Sequence, residues 1–277
     1  MIIMKLNINL KKLNLIFFII LIILLIYSFD YSLGWGMNLM FPNLYFFTFG
    51  TGNSGYHSFI WNESGLIENF QAIILFIALL NLIFLYFKKK NIPNLFRYFI
   101  IINIIGIFYI LLEEISWGQH FFDYKSPNVL LNKDSILYNK QGEFNIHNIS
   151  NIFNEIPRTL ILIWCSLSIP ILRLINYTKN ENLNLIIEPN KKLINLSYLI
   201  LFISLPDLII NKFDLIDNSK LFIFNGNEFI KYDTYQFILS VLTFNFIRFS
   251  ELQELLIFYY FLSHTIFFKN TILIKTK

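Results

Sequence analysis

The chain has little with which to cross-link itself or to cover a soluble surface. One cysteine, Cys165, among 277 residues excludes an intrachain disulfide and a cysteine-rich metal site. Only 14% of the residues are charged while 56% are hydrophobic, too few polar groups to hide the core of a soluble domain. The four histidines form no His-x-x-x-His pair. Gly-x-Ser-x-Gly, a Walker-type loop and a Rossmann fingerprint are also missing, so serine hydrolysis and nucleotide chemistry have no support. No small-residue cleavage site follows Tyr27-Ser28-Phe29-Asp30, and the basic, apolar N-terminal stretch reads as an uncleaved first span. The net charge of +4 calls for no nucleic-acid partner, because its basic residues stand mainly at the ends of apolar runs.

What is present is apolar length, with a mean hydropathy of +0.56. Apolar runs occupy 13–29, 66–87, 95–116 (continuously apolar to 112), 159–176, 193–210 and 252–268. Each is long enough to cross a hydrocarbon core of about 30 Å at about 1.5 Å per residue. The expected fold is all-α: a single integral membrane domain over 1–277, with six transmembrane helices and long extracytoplasmic loops. Lys5, Lys11 and Lys12 precede the first run, and Lys88, Lys89, Lys90 and Arg97 join the second to the third. Arg173, Lys179, Lys191 and Lys192 join the fourth to the fifth, and Lys269, Lys275 and Lys277 follow the sixth. The positive-inside rule then places both termini and these two connections in the cytoplasm, in a bacterial inner membrane. Residues 234–249 are apolar but interrupted by Gln236, Ser240, Thr243, Asn245 and Arg248. A span there would invert the charge pattern, so an interfacial or re-entrant helix is expected.

The acids fall on the other side. Glu113 and Glu114 close the third run, where the helix dipole disfavours each by about 0.3–1 kcal/mol before any desolvation. Ionisable groups at such depth have a function or a partner; the partners expected from sequence are a cation or an arginine such as Arg158 or Arg248. Continuous helical spacing would place Glu113, Trp117 and His120 on one stripe, with Gln119 close by. Glu63 and Glu68 flank the start of the second run, and Glu251 and Glu254 open the sixth. Acids in a first helical turn are favoured by the dipole whatever their function, and Arg248 is spaced to pair with Glu251. Between Asn139 and Asn148, alternation would line Asn139, Gln141, Glu143, Asn145 and His147 on one face of an extended segment, with Asn148 at its end. Ser126-Pro127 has the form of an N-cap and first helical residue. His57 and His264 stand apart, and His264 reads as structural.

Glu113-Glu114-Ile115-Ser116-Trp117-Gly118-Gln119, the Asn145-Ile146-His147-Asn148 element and Glu63-x-Gly65-x-x-Glu68 together resemble a family of uncharacterised bacterial multi-pass membrane proteins. The resemblance covers about residues 60–150 and implies a shared site without an established activity. An arginine often stands at the place of His120 in that family. A fainter similarity is to the alkaline ceramidase-like membrane hydrolases, whose three-histidine zinc site has no counterpart here.

Three functions follow as expectations. The first is a membrane enzyme acting at the outer face on a lipid or lipid-linked substrate. There Glu63, Glu68, Glu113, Glu114 and His147 would hold a divalent cation, with Glu113, Glu114 and His147 as acid and base. Oxygen-rich ligands favour Mg, Ca or Mn over zinc. The second is a non-catalytic assembly or lipid-binding protein, and the third an ion-coupled transporter. Trp117, Gln119, His120, Gln141, Glu143, Asn145, Asn148, Glu251 and Glu254 are the supporting residues in the first reading.

Overall fold

A computed structural model describes residues 10–33, 58–61, 65–88, 92–122, 127–128, 132, 135, 151–212, 242, 244 and 247–275. Among the described residues every regular element is helical. They fall into two compact units, one of residues 1–65 with 207–249 and one of 66–206 with 250–277.

In the first unit, α1 (Leu10–Leu33) and a single turn, α2 (Ser58–Trp61), meet at one polar contact. The fully buried Trp61 donates from Nε1 to Ser28 Oγ at 2.6 Å, and Ser28 in turn donates to the Leu24 carbonyl at 2.7 Å. The expected interfacial helix at 234–249 lies almost wholly outside the described residues. Of its end, Phe244 stacks on Phe249 with centroids 6.1 Å apart.

The second unit contains α3 (Leu66–Lys88), α4 (Asn94–Glu114), a 3-10 turn (Ser116–Gly118), α5 (Gln119–Phe122), α6 (Asn151–Leu174), α7 (Glu181–Ile187), α8 (Leu193–Lys212, which continues past the unit at Pro206) and α9 (Phe249–Lys275). Contacts along α9 give the directions of the others. Gln71, near the start of α3, bonds Glu251 at the start of α9, and Arg158 of α6 reaches Glu254. Phe96 and Phe99, at the start of α4, pack on Phe268 at 5.7 and 5.2 Å. Pro189, just ahead of α8, accepts from Thr271 at 3.1 Å. So α3, α6 and α9 run one way, and α4 and α8 the other.

Helices α3, α4 and α6 are long and apolar enough to cross a membrane; the apolar stretches of α1 and α8 are shorter, Lys12–Ser28 and Leu193–Pro206. Only 44%, 17% and 28% of the apolar windows of α3, α4 and α6 are buried. Their exposed residues recur at helical spacing: Ile73, Phe76, Ile77 and Leu80 on α3; Leu95, Tyr98, Ile102, Ile105 and Tyr109 on α4. Apolar stripes of this length are unstable against water and suited to lipid. Helix α9 is the reverse. From Glu251 to Phe268 every side chain is buried or half-buried, which lets α9 carry Gln253, Ser263, His264 and Thr265 inside the bundle. Expected from sequence as the sixth span, α9 is not among the helices long and apolar enough to cross a membrane.

Candidate functional site

Five carboxylates share an electrostatic field where α3 and α9 begin and α4 ends. Glu114 experiences Glu254, Glu251, Glu68 and Glu113, in that order of strength. Glu113 and Glu251 are buried, at 5% and 6% exposure, while Glu68, Glu114 and Glu254 are half-buried. The helix ends treat them unequally. The N-termini of α3 and α9 present partial positive charge to Glu68 and Glu251, whereas the C-terminus of α4 presents partial negative charge to Glu113 and Glu114. One guanidinium faces the group among the described ion pairs: Arg158 Nη1 lies 3.7 Å from Glu254 Oε1. Of the two arginines expected as partners for the acids, Arg158 pairs with Glu254 of α9.

The backbone after Glu114 corrects a second expectation. Helix α4 does not run on to His120, so Glu113, Trp117 and His120 do not form a helical stripe. Ser116, Trp117 and Gly118 all adopt positive φ, at 46°, 55° and 87°. Left-handed backbone is uncommon outside glycine, and at Ser116 and Trp117 it stores about 1 kcal/mol or more apiece. The turn aims Trp117 back along the helix it leaves. Its Nε1 donates to Glu113 Oε1 at 2.7 Å, and its ring meets Tyr109 edge-on at 6.3 Å. Tyr109 and the Glu113 carboxylate also interact electrostatically. Gly118 is required here. A Cβ at φ 87° would stand 3.1 Å from the Phe122 ring. Gly118→Ala is expected to cost about 1–2 kcal/mol, measured as a lower unfolding temperature of the purified protein in detergent. An unchanged melting curve would show that this turn holds nothing in place.

Gln71 adds an observation independent of the acids. It is fully buried, and its Nε2 donates to the Glu251 carbonyl at 2.9 Å and to Glu251 Oε2 at 3.4 Å. Its Oε1 has no hydrogen-bond partner. Exchanging the amide atoms would set the one amide oxygen against two acceptors of Glu251, so the network fixes the orientation. A buried amide oxygen without a donor costs about 1–3 kcal/mol, and a cation or a proton donor would recover it.

The proposed site residues divide accordingly. Glu68, Glu113, Glu114, Glu251 and Glu254 share one field, and Trp117 joins them through Glu113. Gln119 is half-buried at the start of α5. Glu63, Gln141, Glu143, Asn145, His147 and Asn148 lie outside the described residues, as does the side chain of His120. The extended segment expected at 139–148 lies outside them too. Among the described residues no three His, Cys, Asp or Glu side chains are disposed to hold a metal ion between them. The acids share an electrostatic field without forming a closed ligand cage. Sequence reasoning missed Tyr109, although its position four residues before Glu113 is a helical contact distance.

At the other end of the unit, His264 is buried and its Nε2 meets the Ile186 carbonyl at 2.7 Å. It binds α9 to α7, the structural part read for it from sequence. No family model matches the chain, and no match was found among curated proteins or solved structures.

Proposed function

We propose that the chain is a multi-pass membrane protein with six spans and both termini in the cytoplasm. Its carboxylate cluster, at the extracytoplasmic end, takes a hydrated divalent cation and acts there on a lipid or lipid-linked substrate. The orphaned Gln71 oxygen among five carboxylates carries this reading: one more acceptor is supplied to a site already rich in acceptors. The open disposition favours a hard cation over zinc. Magnesium is commonly held by one or two carboxylates and keeps several of its waters, whereas zinc takes a closed tetrahedral shell. Lys88, Arg173 and Lys269 support the orientation, because they stand towards the ends of α3, α6 and α9 and the acids Glu68, Glu251 and Glu254 towards the starts of α3 and α9. Glu113 and Glu114, on the unfavourable end of a helix dipole, are the acids proposed to exchange protons with substrate.

A second reading rests on a specific observation. Glu113, Glu251 and Glu254 each already have a partner in Trp117, Gln71 or Arg158, as expected if the acids simply tie helix ends together in a non-catalytic assembly protein. Titration of the detergent-solubilised protein with Mg, Ca, Mn and Zn separates the two. Saturable binding of a hard cation, with a higher unfolding temperature that chelator reverses and that Gln71→Leu loses, is the expected result. No binding and no thermal response to any of the four would leave the assembly reading.

A further inference from the structure

The opposite end of the same unit gathers positive charge on one aromatic ring. Lys88 Nζ lies 4.9 Å from the Phe84 centroid, and Lys269 Nζ lies 5.7 Å from it. One lysine ends α3, and the other comes from the last turns of the central helix. Lys269 is half-buried, and its ammonium donates to the Asn81 side-chain oxygen. The Asn81 amide in turn donates to the Ile77 carbonyl at 3.0 Å, which turns its oxygen toward the lysine. The charged group that Lys269 experiences is Lys88, a like charge. Among the described ion pairs, neither lysine meets a carboxylate.

Two like charges are therefore held together where helices pack, at a cost that one amide and a ring face offset only in part. An ammonium over a phenyl face gains about 0.5–1 kcal/mol at exposed sites, and an ammonium has three protons to place. A shared anion would supply the counter-charge. The sequence continues with Lys89 and Lys90. The exposed faces of α3 and α4 on either side are apolar, so an anion arriving here comes with hydrocarbon at its flank. Clusters of lysine at helix ends attract anionic headgroups by about 1 kcal/mol per residue.

We propose that Lys88 and Lys269, with Asn81 and Phe84, form a binding site for a phosphate-bearing anion, supplied by the headgroup of an anionic phospholipid. This site is separate from the carboxylate cluster and stands whether or not that cluster binds a cation. The full-length protein in a mild non-ionic detergent tests it. Its unfolding temperature is followed as phosphatidylglycerol, phosphatidylcholine or inorganic phosphate is added. Phosphatidylglycerol should stabilise the wild type and phosphatidylcholine should not. Lys88→Met and Lys269→Met should each weaken the apparent affinity for phosphatidylglycerol about fivefold. Lys192→Met, at an exposed lysine elsewhere on the same end, should leave it unchanged. Lys269→Arg keeps the charge and should keep the response even if Lys269→Met folds poorly. Stabilisation by inorganic phosphate alone, lost in Lys88→Met, upholds the site and assigns it a soluble phosphate. An equal response to phosphatidylglycerol in wild type, Lys88→Met and Lys269→Arg, with none to phosphate, overturns the proposal.

Discussion

Arg173→Met is expected to destabilise the protein by about 3 kcal/mol, because it strands a buried carboxylate. The Glu188 side chain is 1% exposed and that of Arg173 is 34% exposed. Arg173 Nε donates to Glu188 Oε2 at 3.2 Å, its Nη2 donates to Glu188 Oε1 and to the Lys191 carbonyl, and Tyr177 donates to Glu188 Oε2 at 2.8 Å. A bidentate guanidinium with an added phenol satisfies the acid on several sides. The clasp also closes a loop. Helix α6 ends with Asn176 and Tyr177 at φ 56° and 64°, and the Tyr177 N–H returns to the Leu172 carbonyl at 2.9 Å, the bonding of a left-handed helix terminus. Asn180 then caps α7 by accepting from the N–H groups of Asn182 and Leu183. Ile186 and Pro189 are held from α9 by His264 and Thr271.

Methionine keeps much of the volume of Arg173 and none of its charge, so Glu188 would retain only the phenol. Half-exposure of the arginine lets water recover part of the loss, which sets the expectation at the lower end of the range for a broken buried pair. The double change Arg173→Met with Glu188→Leu removes both charges and should restore more than half of the stability. Unfolding of all three proteins in detergent is the measurement. Equal loss in the single and double variants would mean that the arginine stem, rather than the ion pair, holds this turn.

Much of the helical framework was legible in the sequence because apolar run length is a strong signal. Helices lie over all six runs, with α4 ending at Glu114 and α6 at Leu174 where 116 and 176 were expected, and three of them, α3, α4 and α6, are long and apolar enough to cross a membrane. Composition also marked α9 as apolar, but its place at the centre of the second unit was not readable: a polar residue on a lipid-shielded helix looks the same as one that interrupts a span. The acids at helix ends could be found because Glu113-Glu114 opposes the helix dipole. Their partners were harder. The return of Trp117 onto Glu113 depends on a left-handed turn at Ser116 and Trp117, which no residue preference announces. The pairing of Arg158 with Glu254 depends on how α6 and α9 pack. The Arg173–Glu188–Tyr177 clasp spans 15 residues of an irregular connection, and sequence reading saw only its topogenic charge.

Glu114→Gln should reverse its effect on stability according to the cation present. Glu114 feels the charge of four other carboxylates and stands at the negative end of α4. In chelator, at a pH high enough to ionise Glu114, removing its charge relieves repulsion from Glu254 and Glu251 above all, and leaves Arg158 to fewer competing acids. The variant should then be more stable than the wild type by about 1 kcal/mol, the scale of a charge placed against a helix terminus. With a hard divalent cation at a hundredfold excess over its Kd, the wild type gains about 2.7 kcal/mol by mass action. A neutral amide in place of one carboxylate forfeits much of that, so the order of the two unfolding temperatures should invert. Glu114→Asp, which keeps the charge on a shorter stem, should retain the cation response in part. The two other outcomes are distinct. If the acids only tie helix ends together, Glu114→Gln should be less stable than the wild type in chelator and cation alike, with no inversion. If Glu114 simply faces water, the three proteins should melt together in both. Either pattern would remove the cation from the site and, with it, the chemistry proposed for Glu113 and Glu114.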